Sequence, residues 1–285
     1  MPDKRLFDST QGTVSLLTKT YRLLTKAQNA SAVAFSTFAV IHGAQVLVAN
    51  VGGTRSANRW IILGRPFYQD EHLEGLLVTG SAVVHVVTSL SKLTIRYYWR
   101  RRKLSAPSAE AASTDKATEK NSSSAQLSTN TLPYHRWTGY VLIPLVGIHY
   151  YLVRSIPLQY YGDSSFIDFG YIAWGLQNKP IFTYTLHTTL GIAASYHFVS
   201  GLSYLFRRRK SKSNQQSPEK LYKSGSSTLA SGVPLSNSSS TKNWIQKGLA
   251  TTLSIGFIAS IMIIGRETKK IPLRLDFEQM YKRMI

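Results

Sequence analysis

Six of the seven histidines of this 285-residue chain lie in apolar stretches, where imidazole is an unusual choice. The segment HRWTGYVLIPLVGIHYYLVR, residues 135–154, carries His135 and His149; the apolar stretch at residues 181–205 carries His187 and His197; His42 and His85 sit in two earlier ones. An imidazole at membrane depth can ligate a metal, relay a proton or hydrogen-bond a neighbouring helix. An ionisable side chain there is costly and faces a bundle interior, a cavity or a partner. His42, His85, His149 and His197 are therefore the candidate cofactor ligands. His135, Arg136 and Gly139 form a polar opening motif at the head of the third apolar stretch.

The elements that must position these residues are apolar blocks at residues 30–51, 73–95, 136–157, 181–205 and 244–264. Each is close to the ~20 residues with which an α-helix crosses ~30 Å of hydrocarbon. The expected fold is all-α, a five-span transmembrane bundle. A self-comparison adds an internal repeat. HVVTSLSKL from His85 aligns with HFVSGLSYL from His197, five of nine positions being identical, and VIHG around His42 resembles GIHY around His149. A two-helix hairpin (residues 30–95 and 135–206) is thus duplicated, with the block at 244–264 added as a fifth helix. Parallel repeats of this kind are related by an axis along the membrane normal.

At 1.5 Å per residue, the four repeat-related histidines lie roughly 12–18 Å from the cytosolic ends of their helices, a ring near mid-membrane. Two facing members of such a ring could hold a haem b iron axially. The same residues could equally be packing groups that hydrogen-bond adjacent helices, each contact typically worth ~0.6 kcal/mol, or serve another metal or a proton. No metal site is assigned. His135 shares a helix face with His149 at the boundary, and Arg136 snorkels to headgroups.

Between the blocks, residues 1–29 have Val14, Leu17, Tyr21 and Leu24 at helical spacing with Lys19, Arg22 and Lys26 between them, a pattern that reads as an amphipathic surface helix or a cap on the bundle. Residues 96–134 and 207–243 are basic and Ser-rich, too poor in apolar residues to bury a core, and read as disordered linkers. Residues 158–180 are unusually aromatic and read as interfacial. The tail, residues 265–285, is basic. The N-terminal segment and the two linkers hold 20 of the 34 Lys and Arg, which places them together on the cytosolic side and, with five spans, the tail on the far side. The net charge of +20 sits at the ends of the apolar blocks, which argues for lipid headgroups rather than nucleic acid. There is no cysteine, so disulfides and iron–sulfur clusters are excluded. No nucleophile–base set and no phosphate-binding glycine loop points to an enzyme.

The duplicated hairpins, the HRWTGY opening, the IHYYLVRSIPL continuation and the HFVSGLSYL ending resemble the fungal mitochondrial outer-membrane adaptor family with a twice-repeated multispan domain, found as suppressors of lost ER–mitochondria tethering. The resemblance implies a non-enzymatic, multi-pass protein of the mitochondrial outer membrane with a cytosolic N-terminus. It also implies a role in lipid homeostasis at organelle contact sites, by recruiting a bridge-like lipid transfer protein of the vacuolar-sorting class. In that family recruitment uses a Pro-x-Pro ligand, and none of the ten prolines here forms one. A looser similarity is to the cytochrome b membrane anchors of succinate dehydrogenase. HRWTG is similar to their quinone-side motif and His187-Thr-Thr-Leu-Gly191 to their haem helix, which implies a b-type cytochrome or quinone-linked anchor as the alternative function.

Overall fold

The computed structural model describes residues 4–105, 134–215, 238–267 and 274–283. Most of both expected linkers lies outside the described residues. Among the described residues the chain is helical, without strands. The helices are α1 (Lys4–Leu47), α2 (Ala49–Gly64), α3 (Glu71–Leu73), α4 (Ser81–Ser105), α5 (His135–Tyr150), α6 (Ile156–Tyr161), α7 (Phe169–Asn178), α8 (Pro180–Gln215), α9 (Ser238–Glu267) and α10 (Leu275–Lys282). π-Turns lead into α4 (Glu74–Gly80) and join α5 to α6 (Tyr151–Ser155).

Four stretches are long and apolar enough to cross a membrane: Ser15–Leu47, Glu74–Arg101, His135–Tyr161 and Trp244–Glu267. At most 28% of the most apolar stretch of each is buried, which leaves wide apolar faces that suit acyl chains and not water. The expected fourth span, 181–205, forms the middle of α8 but falls short on composition, because His187, His197 and a series of Thr and Ser dilute its apolar residues. Those hydroxyls are nonetheless satisfied within the helix. Thr188, Ser195, Ser200 and Ser203 donate to the carbonyls of Tyr184, Gly191, Tyr196 and Val199 at 2.6–2.9 Å.

The boundary expected at residue 29 is absent. α1 runs unbroken for 44 residues, because no proline interrupts it and Ala27-Gln28-Asn29-Ala30 continues the helix. At 1.5 Å per residue it is ~66 Å long, about twice the hydrocarbon thickness. Pro144 lies inside α5, and the helix continues through it to Tyr150. The expected linker ends are helical where described: α4 continues to Ser105, α8 to Gln215, and α9 begins at Ser238.

The chain divides into two compact units, Met1–Ile41 with Arg65–Leu127 and His42–Gly64 with Ser128–Ile285. In the first unit Gln28 joins α1 to α4: its Nε2 donates to Ser89 Oγ at 2.5 Å and its Oε1 accepts from Lys92 Nζ at 2.7 Å. One turn outward Tyr21 packs on Trp99, centroids 5.3 Å apart.

In the second unit α8 is central, packed against α5 and α9. One end carries a cap of α2, α6, α7 and α10. α2 is broken at Gly53, whose φ of +66° is a conformation that glycine tolerates and other residues rarely adopt. The restarted helix is closed by Glu267, which accepts from Thr54 N at 2.6 Å. Asn50 Nδ2 donates to Gly256 O at 3.0 Å and Ser260 Oγ at 2.8 Å, and Asn58 Oδ1 accepts from Phe169 N at 2.9 Å. Beneath α10, Phe277, Met280 and Tyr281 bury against Tyr171, Trp174, Leu152 and Ile156. The aromatic stretch expected at an interface is thus divided: Tyr160 and Tyr161 are exposed, whereas Tyr171 and Trp174 form a core.

Candidate functional site

The four expected ligands do not share one ring of neighbours. His42 and His149, which the repeat aligns, do meet: their rings are 6.2 Å apart and tilted by 53°. The third member of this group is His187, edge-on to His149 at 5.2 Å. His197 instead stacks on His135, centroids 4.2 Å apart and 14° from parallel. His85 lies in the first unit, hydrogen-bonded to the Gln28 backbone.

Each position follows from its helix. His42 is near the end of α1, where it hydrogen-bonds Gln45, whose Nε2 in turn donates to Trp60 O at 3.1 Å. His187 Nδ1 donates to the Thr183 carbonyl one turn back at 2.8 Å, which fixes the tautomer and leaves Nε2 as an acceptor. That Nε2 and His149 Nδ1 are buried without a hydrogen-bond partner. Phe257 of α9 fills the space next to the group. A Cβ on Gly43 would lie 3.3 Å from its ring and one on Gly191 3.0 Å from its Cβ.

The outer pair is hydrogen-bonded throughout. His135 Nδ1 is 2.6 Å from Ser200 Oγ, and His197 Nδ1 donates to the His135 carbonyl at 3.1 Å, with Thr138 Oγ1 3.4 Å away. Gly139 makes the stack possible, since a Cβ there would stand 2.9 Å from His197 Cε1. Arg136 is exposed on the same turn. The opening motif therefore joins α5 to α8 through His135 and Gly139, while Arg136 faces outward.

These residues, as packed, do not fit a haem. Axial imidazoles must grip a flat macrocycle from opposite sides. Here His187 stands against His149 and Phe257 occupies the adjacent interior. Among the described residues, no group of three or more His, Asp or Glu side chains is placed to hold a metal ion. The inner group is a polar knot in an apolar bundle, with one donor role fixed and two ring nitrogens unspent. Reasoning from repeats missed His187 because its counterpart in the first hairpin is Gly75; its signal was the HTTLG spacing alone.

The fold and the buried polar groups together define an all-helical, multispan membrane protein. Residues 144–269 match the family model described as MDM10-complementing protein 1, transmembrane domain, the family that the repeat and motifs resemble. Neither a curated protein nor a solved structure matches the chain.

Proposed function

We propose that this protein is a multi-pass adaptor of the mitochondrial outer membrane that supports lipid homeostasis at organelle contacts by recruiting a bridge-like lipid transfer protein. The observation that carries the reading is the match of residues 144–269 to the transmembrane domain of MDM10-complementing protein 1. The recruiting ligands would lie in the segments after α4 and α8, where the sequence is polar and basic. The test is complementation of a fungal cell lacking MDM10. Expression of the chain is expected to restore growth, deletion of residues 106–133 together with 216–237 to abolish rescue, and His149→Ala to preserve it. Rescue by the doubly deleted chain would overturn the adaptor reading.

Two observations support a five-span topology with a duplicated hairpin. α10 packs on α7, Tyr171 lying 5.2 Å from Phe277 and 4.9 Å from Tyr281. α7 follows the third span and α10 follows α9, so they can share a side only if α8 and α9 both cross; with α8 outside the bilayer they would be on opposite faces. The second observation is a repeated hydrogen bond. His85 bonds the Gln28 backbone in one unit and His197 the His135 carbonyl in the other, and both Gln28 and His135 stand fourteen residues before the aligned His42 and His149. With an N-terminus on the cytosolic side, α7 and α10 would both lie across the membrane. Protease added to intact organelles is then expected to cut the segments after α4 and α8 and to spare α10; cleavage at Arg274 without lysis would exclude this topology.

A further inference from the structure

On the flank of the second hairpin, away from the histidines, α5 and α8 leave a groove of about 340 Å³. That volume lies at the lower end of the roughly 300–1,000 Å³ of small-molecule sites. Its walls repeat at helical spacing on both sides: Tyr134, Trp137, Thr138 and Val141 from α5, and Thr189, Ile192, Ala193 and Tyr196 from α8. Trp137 is 69% exposed and Tyr134 63%, so the rim is open. The lining is apolar apart from hydroxyls that are largely committed. Thr138 Oγ1 donates to the His135 carbonyl at 2.9 Å, and Tyr196 OH accepts from Tyr134 N at 3.4 Å.

The mouth has a different chemistry. It lies where α5 begins, and no side chain caps that helix N-terminus, a place that favours a phosphate. Arg136 is exposed in the same turn. Trp137, Tyr134 and Tyr196 are the amphipathic rings expected at headgroup depth. The first hairpin lacks all of this. The aligned positions are Ala27, Ala30, Ser31 and Ala34 on α1, and Leu77, Gly80, Ser81 and Val84 on the opposing strand of the hairpin. The aromatic rim is thus particular to one repeat and not a by-product of the shared architecture.

We propose that this groove is a binding site for an anionic glycerophospholipid, with one acyl chain lying between α5 and α8 and the phosphate held at the start of α5 beside Arg136. The occupant follows from the surroundings. The groove opens on the lateral face of a helix apolar enough to span, where acyl chains are the solvent, and its mouth is positively charged. The proposal rests on the reading that α5 and α8 cross the membrane, and gives the adaptor a lipid ligand of its own.

The experiment reconstitutes the full chain into phosphatidylcholine vesicles doped with either phosphatidic acid or phosphatidylcholine bearing an acyl-chain diazirine, followed by peptide mapping of the photo-crosslinks. Labelling is expected to concentrate on Trp137, Val141 and Ile192, and to be about fivefold stronger with phosphatidic acid, the preference one basic residue supplies near a headgroup. Arg136→Gln should remove most of that preference. Thr189→Phe, at an exposed position, should block the groove and abolish its labelling while other lipid-facing sites keep theirs. Equal labelling by the two lipids, or labelling spread evenly over α5 and α9, would overturn the proposal. So would an unlabelled groove on an otherwise labelled α5, the result expected if another helix or a second copy covers it. Absence of label from α5 and α8 altogether would instead refute their crossing.

Discussion

Gly139 is the residue on which the junction of α5 and α8 turns. Its missing side chain admits the His197 ring, and a Cβ would stand 2.9 Å from Cε1. Gly139→Ala is expected to push the His135–His197 stack apart and cost about 1–3 kcal/mol, as overpacking in a close-packed interior does. Gly147, on the same helix, has nothing within 4 Å of an added Cβ. Gly147→Ala should therefore leave the melting temperature in mild detergent unchanged or raise it, since alanine gains up to ~1 kcal/mol over glycine in a helix interior. Equal losses in the two variants would show that the stack is not what the glycine serves. For the inner histidines, a reduced-minus-oxidised visible spectrum of the purified protein is expected to be flat. A sharp α-band lost in His149→Ala would show that the bundle opens to take a haem.

Among the elements, α10 responds to pH from both sides. Burial pushes the Asp276 carboxyl up, but the Arg274 guanidinium, 2.5 Å away, outweighs it and holds the group below the usual carboxylate range. A depressed carboxyl stabilises above its unfolded value of ~3.9 and ceases to as pH falls through the lower folded one. The phenols of Tyr171 and Tyr281 are pushed far above their ordinary value by burial. Their contribution is complete below ~10 and disappears as pH rises past it. Hydrogen exchange of α10 is accordingly expected to be slow at neutral pH and to accelerate toward acid and toward alkali, with Tyr281→Phe weakening the alkaline limb alone. Glu267→Ala should release the start of the second half of α2. The carboxylate there is exposed, so the cost is roughly 1 kcal/mol, below the ~1.5–3 of a buried charged hydrogen bond.

At the scale of the whole molecule, what the sequence made legible was whatever repeats along one helix. Apolar blocks of the right length announced α1, α4, α5 and α9, and the aligned motifs brought His42 to His149 before any coordinates did. What escaped were arrangements decided between helices. α10 was hidden in a tail that looked merely basic, although Phe277, Met280 and Tyr281 mark one apolar face at helical spacing. The aromatic residues before α8 look interfacial by composition, and only their burial beneath α10 makes them a core. His187 lacked a repeat counterpart, and so nothing in the alignment singled it out. The end of the first amphipathic segment could not be read because Ala, Gln and Asn continue a helix as readily as they leave one.

The packing of α10 onto α7 also has a consequence for biogenesis. Of the described helices α10 is the last to leave the ribosome, yet it covers Tyr171 and Trp174, which are made about a hundred residues earlier. Until α9 is inserted and α10 reaches the same face, that aromatic surface stays open. A chain stalled before Leu275 would display it to chaperones and proteases, whereas a finished one would not. The cap thus works as a marker of completed insertion, distinguishing assembled molecules from those that quality control should remove.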